Sequence, residues 1–137
     1  MSDNHLKPIH VLAAALLATL STLAVGKELN GIASMDRGVG IRATPVEIAA
    51  GAKSWAFEVR LDTHSGQLDD DLTREAVLVD EAGRHHAPVA WEGSPPGGHH
   101  RQGVLRFLPV SPMPAAIELR IQRTGEPTPR SFKWQLR

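Results

Sequence analysis

Cysteine is absent from the 137-residue chain, tyrosine is absent too, and the remaining aromatics are three Trp and three Phe. Without thiols there is no disulfide scaffold, thiol nucleophile, Cys-ligated zinc, blue-copper centre or lipidated N-terminal cysteine. So few rings leave little for an aromatic platform that stacks bases. Net charge is lacking as well, because 15 Lys+Arg balance 15 Asp+Glu. A neutral chain has little electrostatic pull on phosphates, so a nucleic-acid partner is not expected. The chain carries no G-x-S-x-G elbow, and Gly97-Gly98 follows two prolines, which does not suit a phosphate loop opening a helix. An enzyme is therefore not expected either.

What the chain does have begins with an uncharged run. Residues 9–26 read IHVLAAALLATLSTLAVG, with Lys7 before the run and Lys27-Glu28 after it. A short basic start, an apolar stretch and small residues at its end describe a secretory signal peptide. Ala24 and Gly26 stand at the two positions a signal peptidase reads. Cleavage after Gly26 is expected, with residues 27–137 forming one exported domain. The alternative is an uncleaved N-terminal anchor, for which the run is at the short end, since a span takes roughly 20 apolar residues. Only in that case is the membrane a partner. Either way the domain works outside the cytoplasm, and the expected compartment is the periplasm.

Within residues 27–137 a period of two dominates. In Trp55-Ala56-Phe57-Glu58-Val59-Arg60-Leu61-Asp62 large apolar residues alternate with small or charged ones, and residues 117–122 and 132–137 repeat the pattern. Each such segment places one face on a core and one in water. Shorter strands are expected over 76–80, 85–91 and 103–108, and two less regular ones within 28–50. Gly- and Pro-rich punctuation at 50–52, 81–83, 95–98, 109–114 and 124–129 separates them. One helical turn is expected over 70–75, capped by Asp70 or Asp71. Seven or eight short strands predict an all-β, immunoglobulin-like antiparallel sandwich, with a small β-barrel as the alternative. Trp55, Trp91 and Trp134 share the apolar parity of their strands and are expected in the core.

Charge is unevenly spread along the chain. Residues 58–81 carry eight acids against Arg60 and Arg74, and residues 101–137 carry seven bases against Glu118 and Glu126. Cross-strand pairing on solvated faces is the plain reading, and a surface for a charged exported protein partner is the sharper one. Asp69-Asp70-Asp71 lacks the spacing of a calcium loop and reads as capping and solubility.

An up-and-down trace sorts the histidines. If the strand ending at Asp62 runs upward, His64 lies in a top loop, the turn at 81–84 lies at the bottom, and His99 and His100 return to a top loop. His64, His99 and His100 then share one end, with Asp62 and Glu92 nearby as a fourth ligand. Imidazoles with a carboxylate suit Cu or Zn outside the cytoplasm. Gly97-Gly98 frees the backbone so that both following histidines can turn to one point. Met35, if its loop lies at the same end, adds a soft thioether suited to copper. The alternative is that these rings order their own loops through backbone carbonyls, while His85-His86 is a polar start to a strand.

The ordered set Leu61-Asp62-Thr63-His64-Ser65, Leu78 to Gly83, Trp91, Pro96-Gly97-Gly98-His99-His100, Gly103-Val104-Leu105-Arg106-Phe107 and Phe132-Lys133-Trp134 resembles a group of small exported prokaryotic β-sandwich domains. The likeness covers roughly residues 55–136. It implies the sandwich and the export, and carries no activity with it. Small periplasmic copper-binding sandwiches are similar in size, but those that bind through a mature N-terminal histidine are not matched by a Lys27-Glu28 start. The functional expectation is thus an exported non-catalytic binding or accessory module, taking Cu or Zn through loop histidines. The alternative is a protein-interaction domain whose histidines are structural. N-terminal sequencing of the exported protein should begin at Lys27, and a chain still starting upstream of Ile9 would instead mark an anchor.

Overall fold

The alternating pattern becomes nine strands and one helical turn across residues 29–137, the part of the chain that the computed structural model describes. The export segment assigned to residues 1–26 lies outside the described residues. In chain order the elements are β1 (Ile32–Asp36), β2 (Val39–Glu47), β3 (Trp55–Thr63), α1 (Leu72–Glu75), β4 (Ala76–Asp80), β5 (His85–His86), β6 (Ala90–Gly93), β7 (His100–Phe107), β8 (Ala116–Ile121) and β9 (Arg130–Gln135). They form two antiparallel sheets, ordered β1-β2-β3-β7-β6 and β5-β4-β8-β9. The result is an immunoglobulin-like β-sandwich and not a closed barrel. Among the described residues no helix is long and apolar enough to cross a membrane.

One expected strand divides. The segment 85–91 is not continuous: β5 pairs with β4 in the smaller sheet, and β6 pairs with β7 in the larger one. Pro88 lies between them and has no amide hydrogen to extend a ladder. The chain therefore leaves one sheet after His86 and enters the other at Ala90, which raises the strand count to nine. The expected helical turn is present, with the Asp71 carboxylate accepting from the Thr73 amide at 3.2 Å and from its hydroxyl at 2.7 Å.

Inward parity builds the core. Trp55, Phe57, Val59 and Leu61 of β3 face Leu105 and Phe107 of β7 on one side and Leu78, Leu119, Ile121 and Phe132 on the other, all buried. Phe57 joins the layers, meeting Phe107 edge-on and Trp134 at a tilt, with ring centroids 5.6 Å apart in both cases. Burying a side chain of this size contributes about 1.5–3 kcal/mol. The indole N–H groups are also satisfied: Trp55 donates to Ala49 O at 3.0 Å, Trp91 to Ser94 O at 2.9 Å and Trp134 to Asn30 O at 2.8 Å. Trp91 is half-buried at the β6 edge, its ring against the core and under the Arg101 guanidinium.

That edge rests on two glycines. Gly93 and Gly103 face each other in the β6–β7 ladder. A Cβ on Gly103 would stand 2.6 Å from Gly93 Cα, 2.7 Å from Glu92 O and 2.8 Å from the Trp91 ring. The first two obstacles are backbone and cannot swing aside. Gly103→Ala should therefore destabilise the fold by about 1–3 kcal/mol, read as a lower urea midpoint at unchanged slope. An unaltered midpoint would mean that the two strands can part without cost.

Candidate functional site

The loop end of the sandwich is built by β3 and β7. Their register places Asp62 opposite His100, and the Thr63 amide donates to His99 O at 2.9 Å. The two following loops are stitched together. Leu68 N donates to Gly98 O at 3.0 Å, Gly97 N to Leu68 O at 2.9 Å, and Gly98 N to the Gln67 side-chain oxygen at 2.7 Å. Gly97 and Gly98 have φ of 113° and 74°, a region that side chains with a Cβ rarely adopt. The LDTHS and GGHH corners, expected at one end, do meet there.

What they bring together is narrower than the expected ligand set. His100 Nδ1 lies 2.6 Å from Asp62 Oδ1, with both side chains largely exposed at 75% and 62%. Asp62 is thus the partner of one ring nitrogen, the arrangement by which a carboxylate orients an imidazole and fixes its tautomer. His64 and His99 sit exposed on the same rim. Among the described residues no three of His, Cys, Asp and Glu lie close enough together to hold a metal ion. Glu92 does not join. It stands opposite Val104 in the β6–β7 register, roughly 13 Å down the strand from His100 at 3.3 Å per residue. Its carboxylate instead accepts from Arg106 Nε at 2.9 Å.

Met35 is at the expected end. It faces Gly40 across the β1–β2 hairpin, Gly40 faces Asp62, and Asp62 faces His100. A single row thus runs across four strands on the outer face of the larger sheet. Beside it lies an open depression of about 310 Å³ lined by Arg60, Asp62, Ser94, His100, Arg101 and Gln102.

Two buried arginines hold this end rigid. Arg101 lies on the inward parity of β7 and donates to Asp70 O at 2.7 Å, Leu68 O at 3.2 Å and Ser94 O at 3.3 Å. Arg130, on the inward parity of β9, donates to Val39 O at 2.6 Å, Asp36 O at 3.0 Å and Ser34 O at 3.3 Å. It thereby pins the β1–β2 hairpin to the opposite sheet. Glu126 balances it, with contacts of 2.5 and 3.0 Å, and Arg123 links Glu126 to Asp70. The sequence signal for both is a charged residue in phase with Leu105-Phe107 and with Phe132-Trp134. Asp70 and Asp71 of the acidic run are taken up by Arg123 and by helix capping.

The charge blocks also find each other. Asp70 meets Arg123 and Glu81 meets Arg137, so two acids of the acidic block pair with the basic one, while Asp62 pairs with His100 and Asp80 with Arg84 and His86. At the far end Asp80 is buried and accepts from Ala82 N, Arg84 N, Arg84 Nε and His86 Nε2 at 2.7–3.0 Å. The His86 contact, above all, holds the Asp80 carboxyl well below the usual carboxylate range. His86 therefore braces the β4–β5 turn, beyond being a polar strand start.

Compared with known proteins, the chain matches no protein-family model, no curated protein and no solved structure.

The hydrogen bond from Arg130 is the leading cause that keeps the Glu126 carboxyl below its ordinary range. Its stabilisation is complete above the ordinary carboxylate range and fades as pH falls through the lowered value. Both side chains are 3% exposed, so Arg130→Met strands a buried charge and should cost about 3–5 kcal/mol at neutral pH. The deficit should narrow in acid, where Glu126 takes up a proton. Denaturant unfolding at several pH values measures this, and a deficit independent of pH would contradict the assignment.

Proposed function

We propose that the chain is an exported, non-catalytic binding module that takes a transition-metal ion, Cu or Zn, at the imidazole of His100. The observation that carries this reading is the 2.6 Å contact between His100 Nδ1 and Asp62 Oδ1. A carboxylate on one ring nitrogen directs the other lone pair outward and raises its basicity as a ligand. The ring is exposed, so an arriving ion needs no opening of the fold. Locked loops beneath it keep the pair in place at little entropic cost.

The other reading, an interaction domain with structural histidines, draws on a different observation. The rim of His64, His99 and the stitched loops is rigid and exposed, a surface suited to an exported protein partner.

Titration of the purified protein with Cu²⁺ and with Zn²⁺ separates the two. Uptake at micromolar metal should be lost in His100→Ala and weakened by roughly 10- to 100-fold in Asp62→Asn. Uptake that ignores both substitutions, or none at all, would leave the interaction reading standing.

A further inference from the structure

Five charged side chains follow one another beneath the rim, and their signs do not balance. Arg130 meets Glu126, Glu126 meets Arg123, and Arg123 closes on Asp70 at 2.6 and 3.3 Å. Beside Asp70 comes Glu75, the last residue of α1. Three acids thus share two bases. Glu75 is half-buried. Its Oε1 accepts from the Thr124 hydroxyl at 3.1 Å, while its Oε2 is shut off from solvent and has no hydrogen-bond partner.

An ionised carboxylate oxygen can only accept, so a buried Oε2 facing another carboxylate has nothing to bond. One proton removes the conflict. Placed on Oε2, it is donated to the Asp70 carboxylate, and the surplus negative charge disappears. Among the described residues no base is bonded to Glu75 in its place. Asp69, Asp71 and Arg74 border the open depression that Glu75 and Thr124 line, with Asp71 bonded to Thr73. From the 122–126 turn, Arg123 is taken by Asp70 and Glu126. From β7, Arg101 reaches Asp70 through its main-chain oxygen, and on β6 Glu92 is held by Arg106. Burial above all, and then the Asp70 charge, raise the Glu75 carboxyl above its ordinary value.

We infer that Glu75 and Asp70 form a proton-sharing latch, which closes α1 onto the 122–126 turn in acid and loosens as Glu75 ionises. The latch does not depend on the metal reading. A depression of about 280 Å³ lined by Gln67, Asp69, Asp70, Glu75, Arg123 and Thr124 gives the ionised carboxylate a wetted place to turn into. The rim feels the change through two contacts. Asp70 O holds Arg101, the neighbour of His100, at 2.7 Å, and Gln67 on the depression wall holds the Gly98 amide at 2.7 Å. The sign is opposite to that of Glu126. A carboxyl raised in the folded state costs stability above its folded value and none below its unfolded one, so this stability returns as pH falls through the raised value.

Urea unfolding of the wild type and Glu75→Gln between about pH 4 and about pH 8 tests the latch. Glutamine keeps a donor for Asp70 without the charge, so the variant should be the more stable protein near neutrality and lose that advantage in acid. The advantage should be about tenfold in the folding constant for each pH unit by which the Glu75 midpoint, read by NMR of its carboxyl carbon, exceeds the ordinary value. The Gln122 amide, bonded to Glu75 O at 2.9 Å, reports the latch itself. Its protection against exchange should rise as the wild type is acidified, and that rise should be lost in Glu75→Gln. A Glu75 midpoint at or below the ordinary value would overturn the shared proton. Equal stability of the two proteins across the range, or Gln122 protection that ignores the titration, would overturn the latch.

Discussion

Eight consecutive residue pairs hold β3 against β7, from Trp55 opposite Phe107 to Asp62 opposite His100, and the rest of the molecule is arranged around this ladder. Its inner face supplies Phe57, Val59, Leu61 and Leu105 to the core, and its upper end brings the two loop corners together. The period of a strand is two, so a slip of one residue would turn the apolar set of the shifted strand outward and bring its charged residues, Arg60 on β3 or Arg106 on β7, toward the core. The hydrophobic cost of any other register is what guarantees that Asp62 and His100 meet. An exposed polar pair is thus positioned by buried apolar residues that it never touches.

The upper end adds a second layer of constraint. Arg101 and Arg130 are charged residues placed where strand parity calls for apolar ones, and each spends its guanidinium on backbone carbonyls of loops that would otherwise be loose. Buried ions of this kind add little net stability compared with apolar packing, but removing one partner is costly. Their effect here is on geometry. Loops rich in Gly and Pro become a fixed rim, and the hairpin bearing Met35 is tied to the smaller sheet.

Most of the architecture was legible because alternation was strong where the strands are long. β3, β8 and β9 fall where large residues recur at every second position, and Asp71 announces α1. The segment around Pro88 misled because alternation survives across it, while the missing amide hydrogen forces the chain to change sheets. In the candidate site, counting turns was enough to put LDTHS and GGHH at one end. It could not rank distances within that end, since it assigns neither loop path nor depth along a strand. Glu92 therefore looked near His100, although the register places it beside Val104 and Arg106. Gly40 is the opposite case: nothing in its neighbours marks it, and only the pairing of three strands shows that it stands between Met35 and Asp62, beneath the Met35 side chain.

The two long sides of the sandwich are closed by different means. On one, residues 87–89 run from β5 to β6, so the sheets share a continuous stretch of main chain. On the other, β1 and β9 meet through Arg130 and through the Trp134 indole N–H on Asn30 O. The β1–β9 side is therefore held by side-chain hydrogen bonds alone, and partial opening of the sandwich should be easiest there. Backbone amides of β1 and β9 should then be the first to exchange with solvent in partial opening, well ahead of those beside residues 87–89.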